Sequence, residues 1–522
     1  MNKKVKNFRV ISFKLLFSIF PLLLISGPFL SDLLVVILAL YSIFYYYLNN
    51  DFFFLKKKII FFFFIFYFYI NINSLFSYSP VISFSTSLPY IRLILFSILL
   101  AYLLLKVENL KKIIFYSFLF SYLILFIDSI IQLKTGQNIF GYPISVEGRV
   151  ASLFRDKLVM GSYVSRTLPV LIAITYLINL KQVSFLRALL LFLAACLVFF
   201  STERIAMFYF IMTFLLYIIL IPKKKQAFLY VAAFIIIFFV LNSFKPSTFA
   251  RLIKHTQFQL NEKQGSLFSE RHEMHFITAY RMFQEKKFLG HGIKSFRYLC
   301  DQEPYSTRDL IINNNRNYSP VDGYYYVTES FLTKIIYVNY LLDSQIFEFT
   351  KIYKNYEDAR ILKDEFKIRK YENDLNSFIK NNSIISFKIM STILETIKSP
   401  SKVNKGDYTF AINEFENGCN THPHSSHLQF LSELGLFGYV FLFVFFTYLI
   451  FLFLKNFFFI LFKKEKNVKI NYKLYQTFIV LGLIQHLFPI IPSGNIFNSW
   501  LSIFFYFNLA FYLNFQPYDK KF

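Results

Sequence analysis

The sequence predicts an all-α polytopic membrane protein with about twelve transmembrane helices and one large loop domain outside the bilayer. Three observations predict it. Hydrophobic residues make up 56% of the 522 residues and the mean hydropathy is +0.46, so most of the folded surface needs a non-aqueous solvent. The apolar residues run in windows long enough to cross a hydrocarbon core of ~30 Å. Basic residues gather in alternate connecting segments, as the positive-inside rule requires of a multi-pass chain.

Along the chain these windows lie at 10–30, 33–48, 59–76, 90–105, 113–133, 161–179, 187–202, 205–221, 227–243, 434–454, 475–491 and 496–515. The first has the positive flank of a signal peptide, but no small-residue cleavage site follows it and Pro28-Phe29 leads directly into the next window, so a retained helix is expected. Nine windows form a transmembrane bundle over 1–243. A hydrophilic segment occupies 244–433, and three further windows fill 434–522. The abundance of Phe, Ile, Lys, Asn and Tyr reads as AT-rich coding bias, which removes most of the meaning from aromatic clusters.

The net charge of +25 is explained by topology and not by nucleic acid. Twenty-four Lys and Arg fall in the N-terminus, alternate short loops and the C-terminus, for example Lys56–Lys58, Lys223–Lys225 and Lys463, Lys464 and Lys466. All lie on one side of a twelve-span path. That side is cytoplasmic by the positive-inside rule and holds both termini, which makes 244–433 one large periplasmic loop domain. The opposite short segments carry seven basic residues, Arg92, Lys134, Arg149, Arg155, Lys157, Arg166 and Arg204, and five of them are Arg in a chain dominated by Lys. Arg presents a planar fork of donors that suits diphosphate oxygens, whereas Lys is a compact point charge. Helix-end anchoring at the headgroups is the plain alternative for Arg92 and Arg155. Arg204 follows Ser201-Thr202-Glu203 between two apolar windows, where a charged pair must be paired, hydrated or useful.

The long segment is near neutrality, with 25 basic and 21 acidic residues over 244–430, so it is not a polybasic lipid-binding arm. Arg271, Met274, His275, Thr278 and Met282 recur at helical spacing and predict an interfacial helix over Glu270 to Arg281. Alternating charged and apolar residues over Asp343 to Lys398 predict one or two solvated amphipathic helices, and Asn313 to Pro320 reads as an exposed loop. Of three cysteines, Cys196 lies within a span, while Cys300 and Cys419 both fall in the long segment and are candidates for a disulfide in an oxidising compartment.

The strongest candidate for chemistry is Thr421-His422-Pro423-His424-Ser425-Ser426-His427 at the mouth of the window after it. Three of only eight histidines gather where water meets lipid, although polar groups at membrane depth are costly. A zinc site made of His422, His424 and His427 is one use of such a cluster. No carboxylate or cysteine with convincing spacing completes it.

Four elements in order resemble a known family. His422-Pro423-His424 running into Leu428-Gln429-Phe430-Leu431-Ser432-Glu433-Leu434-Gly435 resembles the His-Pro-His signature of the bacterial O-antigen ligase and polymerase superfamily. Glu270-Arg271 with Phe288-Leu289-Gly290-His291-Gly292-Ile293-Lys294-Ser295-Phe296 resembles its Arg and Gly-x-Gly element. Gly148-Arg149-Val150 with Gly161-Ser162-Tyr163, Arg166 and Pro169 is similar to the outer-loop motif that opens a central helix, and Ser201 to Arg204 is similar to a short Ser-Arg element. Ser425 stands where that family has Asn, His427 where it often has Tyr, and 301–416 is longer than such loops often are.

The resemblance implies transfer of a glycan from undecaprenyl diphosphate to a sugar hydroxyl at the periplasmic face of the bacterial inner membrane, with inversion, no metal and no cofactor. The acceptor is lipid A-core for a ligase or a lipid-linked repeat unit for a polymerase; membrane lipids surround the chain. Departure of a diphosphate needs positive charge close to its oxygens, for which Arg271 and Arg204 are the first candidates. Arg149 and Arg166 are further donors. A neutral histidine can take the acceptor proton, and His424 matches the family position. His422 is expected to orient the acceptor or satisfy loop carbonyls, and Glu433 to line the site. Gly435 and Gly438 are expected to allow close helix packing. The reading from another class is a lipid-linked oligosaccharide flippase, which also has about twelve spans but should show internal symmetry and a charged passage. The chain shows no half-to-half repeat, and only Asp128 lies well inside a window.

Overall fold

The structure is a computed structural model and describes residues 3–49, 57–145, 148–178, 182–221, 224–244, 270–307, 364–381, 418–462, 468–489 and 491–514, with Asn355 and Ala359. It separates into two units. The first comprises Met1–Ser269, Met282–Ser295 and His422–Phe522, and the second Glu270–Arg281 and Phe296–Thr421. Residues 282–295 and 422–433, which hydropathy alone leaves in the long segment, therefore belong to the first unit.

That unit is all-helical among its described residues: α1 (Lys3–Ser26), α2 (Pro28–Asn49), α3 (Lys58–Leu75), α4 (Pro80–Ser87), α5 (Ile91–Lys106), α6 (Leu110–Thr135), α7 (Met160–Ile174), α8 (Val183–Ser201), α9 (Arg204–Leu220) and α10 (Lys224–Phe244). It is completed by three helices near the C-terminus, α14 (Ser426–Phe462), α15 (Val468–His486) and α16 (Ser499–Leu513). Among the described residues seven helical stretches are long and apolar enough to cross a membrane, with α4 and α5 counted as one, and four shorter apolar helices accompany them. The protein is an all-α polytopic membrane protein. The break between the first two spans falls at Gly27 (φ 119°) and not near residue 31, because Pro28 supplies the fixed φ of a first helical position.

Burial explains the length and polarity of each helix. In α7 every residue except Ser162 is buried, since α6, α8, α9, α15 and α16 surround it, and its buried residues include Ser165, Arg166 and Thr167, which face protein and not lipid. α15 is the least apolar of the inner helices because it carries Gln476, Thr477, Gln485 and His486 into the protein and not toward lipid. Gln485 donates to the Tyr209 carbonyl and the Thr213 hydroxyl, both at 2.9 Å. By contrast α14 exposes Phe437, Val440, Phe443, Val444 and Phe451 along one face, and α10 is scarcely buried at all.

Asp128 is the acid within α6. Its carboxylate accepts from Ile139 N–H at 2.9 Å and from the Ser152 hydroxyl at 2.6 Å, while Gln132 accepts from Ser152 N–H at 2.8 Å. These bonds fold the 136–154 loop back onto its own helix, so Asp128 is consumed in shaping that loop. Arg92 is likewise structural: its guanidinium pairs with Asp32 at 2.9 Å and also reaches the Ser499 hydroxyl.

In the second unit, α11 (Glu270–Glu285) includes the helix expected over Glu270 to Arg281, the short α12 (Phe296–Leu299) follows, and α13 (Glu365–Asn381) is one amphipathic helix of the kind expected over 343–398. Cys300 and Cys419 are joined, with Cα atoms 4.9 Å apart. Beside them the Gly418 carbonyl meets His275 Nδ1 at 2.8 Å, and a Cβ on Gly418 would lie 2.4 Å from the Thr278 hydroxyl, so the buried face of α11 packs against this strap. Asn313–Pro320 and most of the 301–416 insertion lie outside the described residues.

Candidate functional site

The site is built at one end of the first unit, where α7 and α9 begin and α8 ends. Thr202 (φ 54°) turns the chain sharply between α8 and α9. This places the Glu203 carboxylate on the N-terminus of α7, where Gly161 N–H at 2.8 Å and the Ser162 hydroxyl at 2.8 Å donate to it. Free N–H groups and the helix dipole make that position favourable for an anion. Gly161 is required there, because a Cβ would stand 2.4 Å from the Ser201 hydroxyl and 2.9 Å from Glu203 Oε1. Burial pushes the Glu203 carboxyl above its usual range, against the pull of Ser162 and the Arg149 charge. Arg149 is held by the refolded loop: its Nε donates to the Ser201 carbonyl at 3.3 Å and Nη2 to the Leu158 carbonyl at 3.4 Å. Arg204, half-buried, opens α9 directly after Glu203.

Further into the bundle, Arg166 lies one helical turn beyond Ser162 and is 5% exposed. Its Nη1 is 3.0 Å from His486 Nδ1 at the end of α15, and its guanidinium sits 5.5 Å from the centre of the Tyr209 ring.

The histidine loop is fixed by the segment that connects α15 to α16. Ser493 N–H donates to the His424 carbonyl at 2.7 Å, Ser493 Oγ accepts from Ser426 N–H at 2.9 Å, and the Ser493 carbonyl lies 3.3 Å from His422 Nε2. His424 takes the left-handed conformation (φ 53°), which costs a non-glycine residue roughly 1–2 kcal/mol and persists because these contacts enforce it. His422 is buried and His424 half-buried, with ring centres 4.2 Å apart, so the buried ring braces the more accessible one. Ser425 supplies the cap that its position needs, accepting from Leu428 N–H at 3.3 Å. His427 is a structural residue: Nε2 lies 2.9 Å from the Leu487 carbonyl and Nδ1 3.2 Å from the Tyr439 hydroxyl. No group of three His, Cys, Asp or Glu side chains among the described residues could hold a metal ion.

Glu433 is fully buried in α14 and accepts from Gln429 Nε2 at 3.0 Å. The same amide donates to Asn495 at 2.9 Å, tying α14 to the 491–497 segment. Gly435 does not serve ordinary helix packing. Its φ of 65° and ψ of −169° interrupt α14, and the gap receives the 286–292 turn through Leu436 N–H to the Lys287 carbonyl (2.7 Å), Gly292 N–H to the Glu433 carbonyl (2.7 Å) and His291 N–H to the Ser432 carbonyl (3.0 Å).

Arg271 stands in the first turn of α11, in the second unit, and its side chain lies outside the described residues. The structure thus gathers Arg149, Arg166, Arg204, Glu433, His422 and His424 in one unit. Ser493, Gln429 and His486 also shape this end. Gln429 stands within the His-Pro-His signature stretch, whereas Ser493 and His486 escape sequence reasoning because each sits singly in an irregular or apolar stretch.

Residues 189–326 match the family model described as O-Antigen ligase. The match covers about a quarter of the chain and supports a place in the O-antigen ligase and polymerase superfamily. The matched stretch holds Arg204, Arg271 and the Gly290 turn, and the histidine loop follows outside it. The match supports, in general terms, a glycosyltransferase-type membrane enzyme of the ligase or polymerase kind that uses lipid-linked glycans. No curated protein and no solved structure matches it.

His291 is expected to give this end of the first unit a pH dependence. Its Nε2–H donates to the Met282 carbonyl at 2.9 Å and the ring is 2% exposed, and burial holds its pKa below the ordinary 6.5. The neutral ring therefore contributes stability that is complete above pH 6.5 and is lost as pH falls toward the lowered folded value, because the unfolded chain binds the proton first. The unfolding midpoint of the wild type should drop between about pH 7 and pH 5. In His291→Gln, which keeps a donor without titrating, that drop should be smaller; equal slopes would exclude His291 as its source.

Proposed function

We propose that this protein transfers a glycan from undecaprenyl diphosphate to a sugar hydroxyl at the periplasmic face of the bacterial inner membrane, without a metal and with inversion. The observation that carries this reading is the His422-Pro423-His424 loop, clamped by Ser493 in a left-handed turn at the same end of the bundle as Arg149 and Arg204. His424 accepts the proton of the acceptor hydroxyl as its oxygen bonds to the anomeric carbon. The bond from that carbon to the diphosphate oxygen breaks on the opposite side, and undecaprenyl diphosphate leaves with the electron pair. Arg204 and Arg271 neutralise the growing charge, an effect worth about 10²–10³ in rate for one well-placed donor. Glu203, held by the N-terminus of α7, and Arg149 shape that cationic ground. His422 braces His424, and Glu433 keeps α14 in register with the 491–497 segment.

Arg204→Lys tests the phosphate role, since it keeps the charge and removes the fork. Transfer should fall by about tenfold or more at unchanged protein level. Equal activity would mean that a point charge suffices.

Cells lacking the gene test the function. A lipopolysaccharide gel, with undecaprenyl-linked glycan analysed in parallel, should show polymer accumulating on the lipid above bare core if the acceptor is lipid A-core. Core capped by one repeat unit would identify a polymerase. An unchanged profile and an unchanged lipid-linked pool would refute the assignment.

A further inference from the structure

Between α3, α7, α14, α15 and α16 the first unit encloses a cavity of about 60 Å³. This is several times the ~10–15 Å³ that one water requires. Its wall is aromatic and aliphatic, with Phe62, Phe66, Phe441 and Phe445 from α3 and α14. Phe62 and Phe441 are only half-buried, and the outer faces of the same two helices carry exposed Phe61, Phe68 and Phe443, so the apolar wall continues to the surface that faces lipid. At the other end stand Arg166 and His486, 5% and 8% exposed.

These two side chains are unusual for what they lack. Arg166 makes no ion pair among the described residues, and its Nε–H has no hydrogen-bond partner. A guanidinium only donates, so His486 Nδ1 must accept from Arg166 Nη1 at 3.0 Å, which puts the imidazole proton on Nε2. That Nε2–H is also without a partner. Two buried N–H donors and one cation without a contacting counter-ion, which feels the Glu203 charge only at a distance, therefore border one cavity with an apolar exit. A buried charge of this kind is costly unless it is paired.

We propose that Arg166 and His486 form an oxyanion-binding pair that seats the phosphate of an amphiphile, whose hydrocarbon leaves between α3 and α14. Arg166, which the family resemblance offers as a further donor to the leaving diphosphate, is read here as a separate seat, because it lies deeper in the bundle than Arg204 and meets His486. Ser493 lines the cavity and also holds both His422 and His424, so an occupant's head would lie beside the histidine loop. Two lipids carry this chemistry, a bilayer phospholipid and an isoprenoid phosphate. The deepening to a role in transfer rests on the proposed function, whereas the binding itself does not.

The test uses the full chain purified in detergent, with the unfolding midpoint followed during titration with farnesyl phosphate, phosphatidylglycerol or inorganic phosphate. One of the two amphiphiles should raise the midpoint saturably, and which one does so identifies the source. Inorganic phosphate should act far more weakly. His486→Phe keeps the ring and removes the Nε2 donor, and should weaken binding about tenfold or more, as expected for a lost hydrogen bond to a charged group. His486→Gln can present an amide N–H and should recover part of it. Undiminished binding by a folded His486→Phe, equal effects of inorganic phosphate, or no response to either amphiphile would overturn the pair as a phosphate site. Absence of glycan transfer with this binding intact would instead count against the proposed function alone.

Discussion

Replacing His424 by asparagine should leave a folded, membrane-inserted protein that no longer transfers glycan. The choice of asparagine matters because residue 424 has φ 53°, a conformation that asparagine tolerates better than alanine. The loop clamp runs through the His424 carbonyl, so Ser493 N–H keeps its partner in the variant. What the substitution removes is the base, and the expected loss is about 10²–10⁴-fold in rate. His424→Ala should be as inactive and somewhat less stable. Transfer by His424→Asn at the wild-type rate, with the melting transition unchanged, would reassign the base.

Gly435→Ala should be among the most damaging single-methyl changes in the first unit. A Cβ there would lie 2.3 Å from the Phe288 carbonyl oxygen and 2.6 Å from Gly290 N, both backbone atoms that cannot swing away. The backbone at φ 65° and ψ −169° is a region that only glycine occupies readily, with a penalty of about 1–3 kcal/mol for other residues before any clash is counted. Gly290 faces the same crossing, since its own Cβ would meet Gly435 N at 2.5 Å. The cost should appear as release of the 286–292 turn, with the Lys287–Leu436 and Glu433–Gly292 hydrogen bonds lost together. Limited proteolysis within 282–295 and the unfolding midpoint both report it. A midpoint within a degree or two of wild type would show that the crossing is looser than these distances indicate.

The membrane helices were legible because each is a continuous apolar run that needs no partner to declare itself. Legibility fails where helices are specified by contact. The break at Gly27 needs the positive φ that only the fold reveals, and α14 runs from Ser426 to Phe462, well beyond its apolar window at 434–454. For the site, the histidine cluster was visible because polar residues at a membrane boundary are costly and therefore informative. The sequence leaves Arg92 open between helix-end anchoring and the site, and the structure decides for a structural role by giving it Asp32 as a partner. His486 lies within an apolar window and reads as an ordinary inner residue until Arg166, 320 positions earlier in the chain, is found beside it. Glu203 reads as a partner for the adjacent arginine, yet it caps the N-terminus of α7 through Gly161 and Ser162.

The account is tested most directly by reconstituting the purified protein in vesicles with an undecaprenyl-diphosphate-linked glycan on the enzyme's open side and a soluble acceptor sugar, then measuring lipid and glycan products together. It predicts glycan joined to the acceptor with an equal amount of undecaprenyl diphosphate released, and neither product from His424→Asn vesicles. Movement of intact lipid-linked glycan across the bilayer without cleavage would contradict it and identify a flippase.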